Sequence, residues 1–144
     1  MNANQKTKLQ NRLSPSSLTF SSQNQSTTSD VKTVTLTNTG NADLSITSIK
    51  ASGDFADTTT CASTVAASAN CQISVTFTPT TTGARSGSVT ITDNASGSPH
   101  SLGLSGTGVP PVTPAGTYTL TVTATLGSGA TALTHSIPLT LTVN

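Results

Sequence analysis

The sequence predicts an all-β chain, an immunoglobulin-like antiparallel β-sandwich of about seven strands followed by a C-terminal β-hairpin. Three observations predict it. Apolar residues alternate with Ser and Thr, most plainly in the CQISVTF run of residues 71–77, which is the period of a strand with one buried face. Clusters of Pro, Gly, Asn and Asp break that alternation at intervals of roughly 8–12 residues, the spacing of sandwich turns. Ser and Thr supply about a third of the chain, and a β-branched hydroxyl side chain suits the wet face of a sheet because it is stiff at χ1 and soluble without charge.

Residues 1–12 are polar and without pattern and read as a flexible tail, so the sandwich is expected over residues 13–108. Pro15 suits an edge position because it has no N–H to give a ladder. Leu18 and Phe20 share a face and make the first strand; residues 21–30 read as a polar connector. Residues 31–38 form the next strand with Val34 and Leu36 inward, and Asn38, Thr39, Gly40 and Asn41 supply turn chemistry. Leu44, Ile46 and Ile49 carry the third strand, after which Gly53 and Asp54 turn the chain and Phe55 plugs the core. A loop of small residues runs from Cys61 to Cys71. The strand from Cys71 then places Cys71, Ile73, Val75 and Phe77 on one face until Pro79 ends it. Residues 82–85 turn into a strand with Val89 and Ile91 inward, residues 94–97 make a hairpin-type loop, and Leu102 and Leu104 close the sheet.

Composition narrows the function. Only 8% of residues are charged, none is Glu, and the formal net charge is +1. Nucleic-acid binding needs a basic footprint that this balance lacks. Lys6, Lys8 and Arg12 do cluster, and are read as a solvated tail rather than an anionic docking arm. No run reaches the roughly 18–20 apolar residues of a membrane helix, so no membrane insertion is expected. Residues 1–12 hold basic side chains without an apolar core, so no leader peptide is expected in this stretch.

The order of motifs resembles a known family. Residues 13–20 (LSPSSLTF), 34–40 (VTLTNTG), 53–55 (GDF), the Cys61/Cys71 pair, 73–79 (ISVTFTP), 83–87 (GARSG) and 104–108 (LSGTG) are similar to the bacterial choice-of-anchor D repeat. That repeat is a relative of the ASPM/SPD-2/Hydin (ASH) domains in the PapD-like and major-sperm-protein-like immunoglobulin group. The resemblance implies a stalk, spacer or assembly module of secreted and surface proteins and brings no catalytic residue with it. Residues 109–116 then read as a stiff Pro-rich linker. Residues 117–144 resemble the terminal hairpin of a second bacterial immunoglobulin-like repeat, with Tyr118, Leu120, Val122, Ala124 and Leu126 on one face of the outgoing strand. Leu133, His135, Ile137, Leu139, Leu141 and Val143 line the return. A lone two-stranded hairpin is marginal in water. Its apolar face is expected to be covered either by the first domain or by a neighbouring chain.

Few residues are candidates for chemistry. Cys61 and Cys71 are expected to form a disulfide in an oxidising compartment, closing a loop of about 11 residues. A metal site needs two further ligands that neither His spacing supplies, and no C-x-x-C motif is present. His100, after Pro99 at a strand start, is read as solvated, and His135 as partly buried or at a sheet end. Neither has an acid and a nucleophile grouped with it by spacing. Asp30, Asp43, Asp54, Asp57 and Asp93 are the only acids. Asp54 and Asp57 could share a Ca²⁺ loop, but without a D-x-D-x-D-G run the preferred role is turn capping, as for Asp93 with Asn94. The sequons at Asn24 and Asn94 are read as chance in an Asn/Ser/Thr-rich chain. Phe20, Phe55, Phe77 and Tyr118 are too few for a sugar-stacking platform, and the three Phe fall on inward positions.

The expected function is therefore a non-enzymatic extracellular structural, adhesion or assembly module of a bacterial secreted or surface protein. It needs no cofactor and no metal, and meets a protein partner or itself through sheet edges or the C-terminal hairpin, by strand donation in one version. The alternative is a glycan- or peptide-binding sandwich.

Overall fold

The computed structural model describes residues 10–112, 116–127 and 133–143, in which strands and turns account for all regular structure. The chain divides into two compact units, one ending at Pro111 and the other beginning at Val112. In the first, two sheets face each other as an immunoglobulin-like sandwich. One sheet orders its strands β1 (Asn11–Ser14), β4 (Lys32–Asn38), β8 (Asn70–Phe77) and β6 (Phe55–Thr59), antiparallel throughout. The other runs β2 (Ser17–Thr19), β10 (His100–Val109), β9 (Gly83–Asp93), β5 (Leu44–Ala51) and β7 (Thr64–Val65), with β3 (Gln23–Asn24) also against β10. The second unit is a hairpin of β11 (Gly116–Leu126) and β12 (Leu133–Val143).

Alternation builds the core. Val34 and Leu36 of β4, and Ile73, Val75 and Phe77 of β8, point inward from one sheet. Val89 and Ile91 of β9, and Leu102 and Leu104 of β10, answer from the other. At the centre the three phenyl rings pack together. Phe55 stacks on Phe77 with centroids 4.9 Å apart, and Phe20 lies 5.6 Å from Phe55 and 5.8 Å from Phe77. Aromatic pairs at this separation add about 0.5–1.5 kcal/mol each beyond the area they bury. Room for the rings comes from glycine. A Cβ at Gly106 would lie 2.6 Å from Phe77 Cε1, and one at Gly87 would lie 2.8 Å from Phe55 Cδ2.

Several local expectations are corrected. The tail ends earlier than expected: Asn11 and Arg12 belong to β1, paired with Asn38 and Thr37. Two residues after β1 ends, β2 lies parallel to β10 in the opposite sheet, so the chain changes sheets around Pro15. The polar connector holds the short strand β3, whose Gln23 and Asn24 pair with Gly108 and Val109. The small-residue loop holds β7, which pairs Leu44 with Val65 and buries Val65. Both additions are too short for periodicity to register.

Ile46 and Ile49 both pack against the core although they are three residues apart. A β-bulge resolves the parity: Ile46 pairs with Asp93 and Ser48 with Thr92, leaving Thr47 as the extra residue. Asn38 is more than a turn residue. Its fully buried amide donates to Ala42 O (2.8 Å) and Val65 O (2.9 Å) and accepts from Gly40 N (3.0 Å). One carboxamide thus ties the β4–β5 turn to β7.

The linker is shorter than expected, since β10 runs through Val109 and β11 opens at Gly116; its residues 113–115 lie outside the described ones. The hairpin register matches the expected faces, with Tyr118 opposite Leu141, Leu120 opposite Leu139, Val122 opposite Ile137 and Ala124 opposite His135.

The glycine accommodation is testable. Gly106→Ala is expected to destabilise the protein by about 1–3 kcal/mol, because the methyl collides with a ring that has no free space to move into. Gly103→Ala, where nothing lies within 4 Å of the new Cβ, is expected to be near neutral. Urea unfolding of the two variants checks the difference.

Candidate interaction surface

The polar side chains of the sandwich are largely committed to one another. Asp54 accepts from Arg85 Nε, from Thr80 N at 3.2 Å and from Thr80 Oγ1 at 2.9 Å, while Arg85 also donates to Thr81 Oγ1 at 2.9 Å. Asp57 Oδ1 accepts from Ala51 N at 2.6 Å. The two carboxylates therefore close separate turns rather than converging on a shared cation. Asp93 Oδ1 caps its own turn by accepting from Ala95 N at 2.8 Å, and Asn94 Oδ1 accepts from Ser45 N at 2.9 Å. Asp93 Oδ2 takes a hydrogen bond from Asn11 Nδ2, which ties β1 of one sheet to β9 of the other. Lys32 Nζ donates to Thr19 O at 2.8 Å and lies 5.6 Å from the centroid of the Phe20 ring. Among the described residues, no three His, Cys, Asp or Glu side chains group as metal ligands do.

Both histidines differ from expectation. His100 is not solvated: its side chain is 22% exposed and Nε2 sits 3.5 Å from the buried Asp93 carboxylate. That nitrogen is buried without a hydrogen bond. The turn at residues 94–97 folds the ring back over Asp93, a long-range consequence that residue spacing does not reveal. His135 keeps its place on the apolar face of β12 and is exposed.

Cys61 and Cys71 are bonded, with Cα atoms 5.0 Å apart. Cys61 follows edge strand β6, and Cys71 lies in β8, opposite Leu36. The loop they close carries β7 to the edge of the opposite sheet, where Ile46 N donates to Ser63 O at 2.8 Å. One staple thus fixes an edge of each sheet.

Open edges decide where another chain can add. Strands at the rims of the sandwich are short: β1 has 4 residues, β2 has 3, β3 has 2, β6 has 5 and β7 has 2. Short rims are a standard protection against edge-to-edge pairing. The hairpin lacks that protection, with 11 residues in each strand and no Asp, Glu, Lys or Arg in either. One face carries apolar side chains whose exposure runs from 41% at Tyr118 to 79% at Leu126. The other face is a hydroxyl ladder, in which Thr123 and Ser136 bond across the strands at 2.8 Å. Large contiguous apolar patches are uncommon on the surfaces of monomeric soluble proteins, which makes this face the candidate interaction surface.

Comparison with known proteins addresses the sandwich. A family model described as HYDIN/CFA65/VesB-like, Ig-like domain, matches residues 11–107. No curated protein matches the chain. Among solved structures, a protein of unknown function from Porphyromonas gingivalis W83 is similar with a TM-score of 0.60 at 11% identity, over 70% of this chain and 47% of that one. The ASH/PapD-like domain 7 of human CEP192 gives 0.54 at 18% identity, over 74% of this chain and 88% of that one. The secreted serine protease VesC from Vibrio cholerae gives 0.53 at 16% identity, over 72% of this chain and 24% of that one. At these identities the likeness is one of fold. The chain spans less than half of the Porphyromonas gingivalis protein and about a quarter of the protease.

Two predictions follow from the sandwich's internal ties. Arg85, chiefly through its hydrogen bond, holds the Asp54 carboxyl below its ordinary value of 3.8, against a smaller opposing effect of burial. A depressed folded value means the stabilisation is complete above the range where the unfolded carboxyl ionises, and is lost as pH falls through the folded value. Arg85→Ala is therefore expected to be less stable than the parent at pH 7, with the gap closing as pH falls below the ordinary carboxyl value and through the lowered folded one; urea titrations at pH 7 and in acid read it. Reduction of the Cys61–Cys71 bond is expected to cost about 3 kcal/mol for a loop of this length. Unfolding with and without reductant measures that cost.

Proposed function

The chain belongs to the HYDIN/CFA65/VesB-like Ig-like domain family, and from that premise we propose that it is a non-enzymatic structural and assembly module of a bacterial protein exported to the surface or the medium. It meets a protein partner through the C-terminal hairpin. The observation that carries the reading is the contrast in edges: every rim strand of the sandwich is short, whereas the hairpin presents 11-residue strands with an exposed apolar face. An isolated hairpin of this kind gains stability only when further strands or a packing surface are added. The module in this reading is a rigid block that carries an adhesive strand pair.

Two features support export and the absence of catalysis. The disulfide is the kind of bond that persists outside a reducing cytosol. The carboxylates of Asp54, Asp57 and Asp93 are held by internal donors, so none stands ready as a general acid or base beside a nucleophile. The exposed polar surface is hydroxyl rather than charge, which keeps the block soluble without steering it toward nucleic acid.

Deleting residues 110–144 is expected to leave a folded, monomeric sandwich with its unfolding midpoint unchanged, while the full chain self-associates or captures a partner strand. Light scattering and thermal unfolding of the two proteins provide the check. A full chain that stays monomeric and gains stability from the hairpin in cis would refute the assembly role. Specific retention of the truncated sandwich on a glycan array would replace it with ligand binding.

A further inference from the structure

Deepening the assembly reading on which it rests, we infer that the hairpin associates through the outer edge of β11, not of β12, and that the strand it takes is β11 of a second copy of this chain.

The two edges are not equivalent. Thr121 is paired with Pro138 in an unbroken antiparallel register. Proline has no N–H, so this must be a non-hydrogen-bonded pair, with the main-chain groups of both residues pointing away from the hairpin. The alternation then assigns every other position. Leu120 with Leu139 and Val122 with Ile137 carry the internal ladder. The odd-numbered residues of β11, all Thr from 117 to 125, turn their N–H and C=O groups outward. On β12 the outward set has Pro138 at its middle, so that edge lacks a donor where a partner strand would need one. The short distance between Thr123 and Ser136 oxygens, 2.8 Å, fits a non-hydrogen-bonded pair, where side chains approach most closely.

The occupant follows from length, phase and charge. A strand that completes the β11 edge must be about 11 residues long, alternate apolar and polar with the same parity, and have an unblocked edge of its own. Among the described residues, the strands that end a sheet are β1, β2, β3, β6, β7, β11 and β12, while the 8-residue β5 is flanked by β7 only at Leu44 and Ser45 and is too short to match β11. Only β11 meets all three requirements. Two copies of β11 related by a two-fold axis at Thr121 would set Leu120 against Val122 and Tyr118 against Ala124. Even positions then meet even ones, and the apolar face continues across four strands. Self-pairing sets every side chain against its own kind or near kind, which a charged strand resists and this uncharged one does not. The resulting order, β12–β11–β11–β12, has the strand number that a sheet with one apolar face needs for independent stability.

The test exploits the same geometry in the full chain. Thr121→Pro removes an outward donor from β11 without removing a main-chain bond within the hairpin; Ser136→Pro does the same on β12, where it also removes the side-chain bond to Thr123. Light scattering of the parent is expected to give a dimer, of Thr121→Pro a monomer, and of Ser136→Pro a dimer. Thr121→Lys, which places like charges on the two-fold axis, is expected to weaken the dimer in a manner relieved by salt. A single cysteine at position 121 is expected to cross-link two chains on oxidation, and one at position 136 is not. Dissociation by Ser136→Pro but not by Thr121→Pro would overturn the edge assignment while leaving the assembly role standing. A parent that is monomeric yet captures a different protein at the β11 edge would overturn the choice of occupant. A parent monomer with no partner and a hairpin stabilised in cis would remove both readings together.

Discussion

The contact between three phenyl rings and two bare backbones holds the sandwich at its working thickness. Phe20, Phe55 and Phe77 come from the segment after β2, from β6 and from β8, and meet in one cluster. Sheets that press together have about 10 Å between them, and three large rings fill that gap only if the facing strands yield volume. Gly87 on β9 and Gly106 on β10 yield it. The rings in turn anchor rim strands that would otherwise have little hold: β6 begins at Phe55, and Phe20 follows directly on β2. The short rims that discourage edge pairing are thus kept in place by the aromatic centre.

Polar ties complete what the rings begin, and they gather at places where the chain passes from one sheet to the other. Asn11 reaches Asp93, joining the first strand of one sheet to the second sheet. Asn38 ties the end of β4 to β7. The Cys61–Cys71 loop leaves the rim at β6 and delivers β7 to the rim at β5. Asn11 and Asp93 lie 82 residues apart and Asn38 and Val65 lie 27 apart, so these two ties constrain global arrangement rather than local conformation. Buried amides and carboxylates satisfied in this way favour one arrangement over alternatives, since any slip would leave them unpaired at a cost of about 1–3 kcal/mol each.

The legible part of this architecture was the part governed by period. Strands β8, β10, β11 and β12 alternate over eight or more residues and β4 and β9 over their last six, and the apolar side of each is readable from the sequence pattern. What escaped has a common physical character. Strands β3 and β7 hold two residues each, below the length at which alternation means anything, and their existence depends on partners far along the chain. The bulge at Thr47 appears in sequence only as an odd spacing between Ile46 and Ile49. Asn11 and Arg12 read as tail because their role is to pair with β4 and, for Asn11, to satisfy a carboxylate that lies 82 residues away. His100 departs from its expected solvated place for the same reason: its position is set by a turn folding back, not by the face of its strand.

The same reasoning separates the two units in kind. In the sandwich, apolar side chains point at one another and the open rims are brief, so its surface offers little for another chain to extend. In the hairpin the alternation is as strict as anywhere in the chain, yet the face it builds has no counterpart among the described residues of its own unit. Each exposed aliphatic side chain forgoes roughly 1.5–3 kcal/mol of burial, and joining hairpins edge to edge widens that face without covering it, so the face alone does not choose a partner edge. Pro138 supplies a direction that the face does not. It interrupts one edge at the centre while leaving the internal ladder whole, the device by which a strand is kept from pairing on one side only. In the assembly we propose, an element protected at one edge and open at the other is extended once and then stops, so the proposed pair of chains closes on itself rather than growing into an open-ended array.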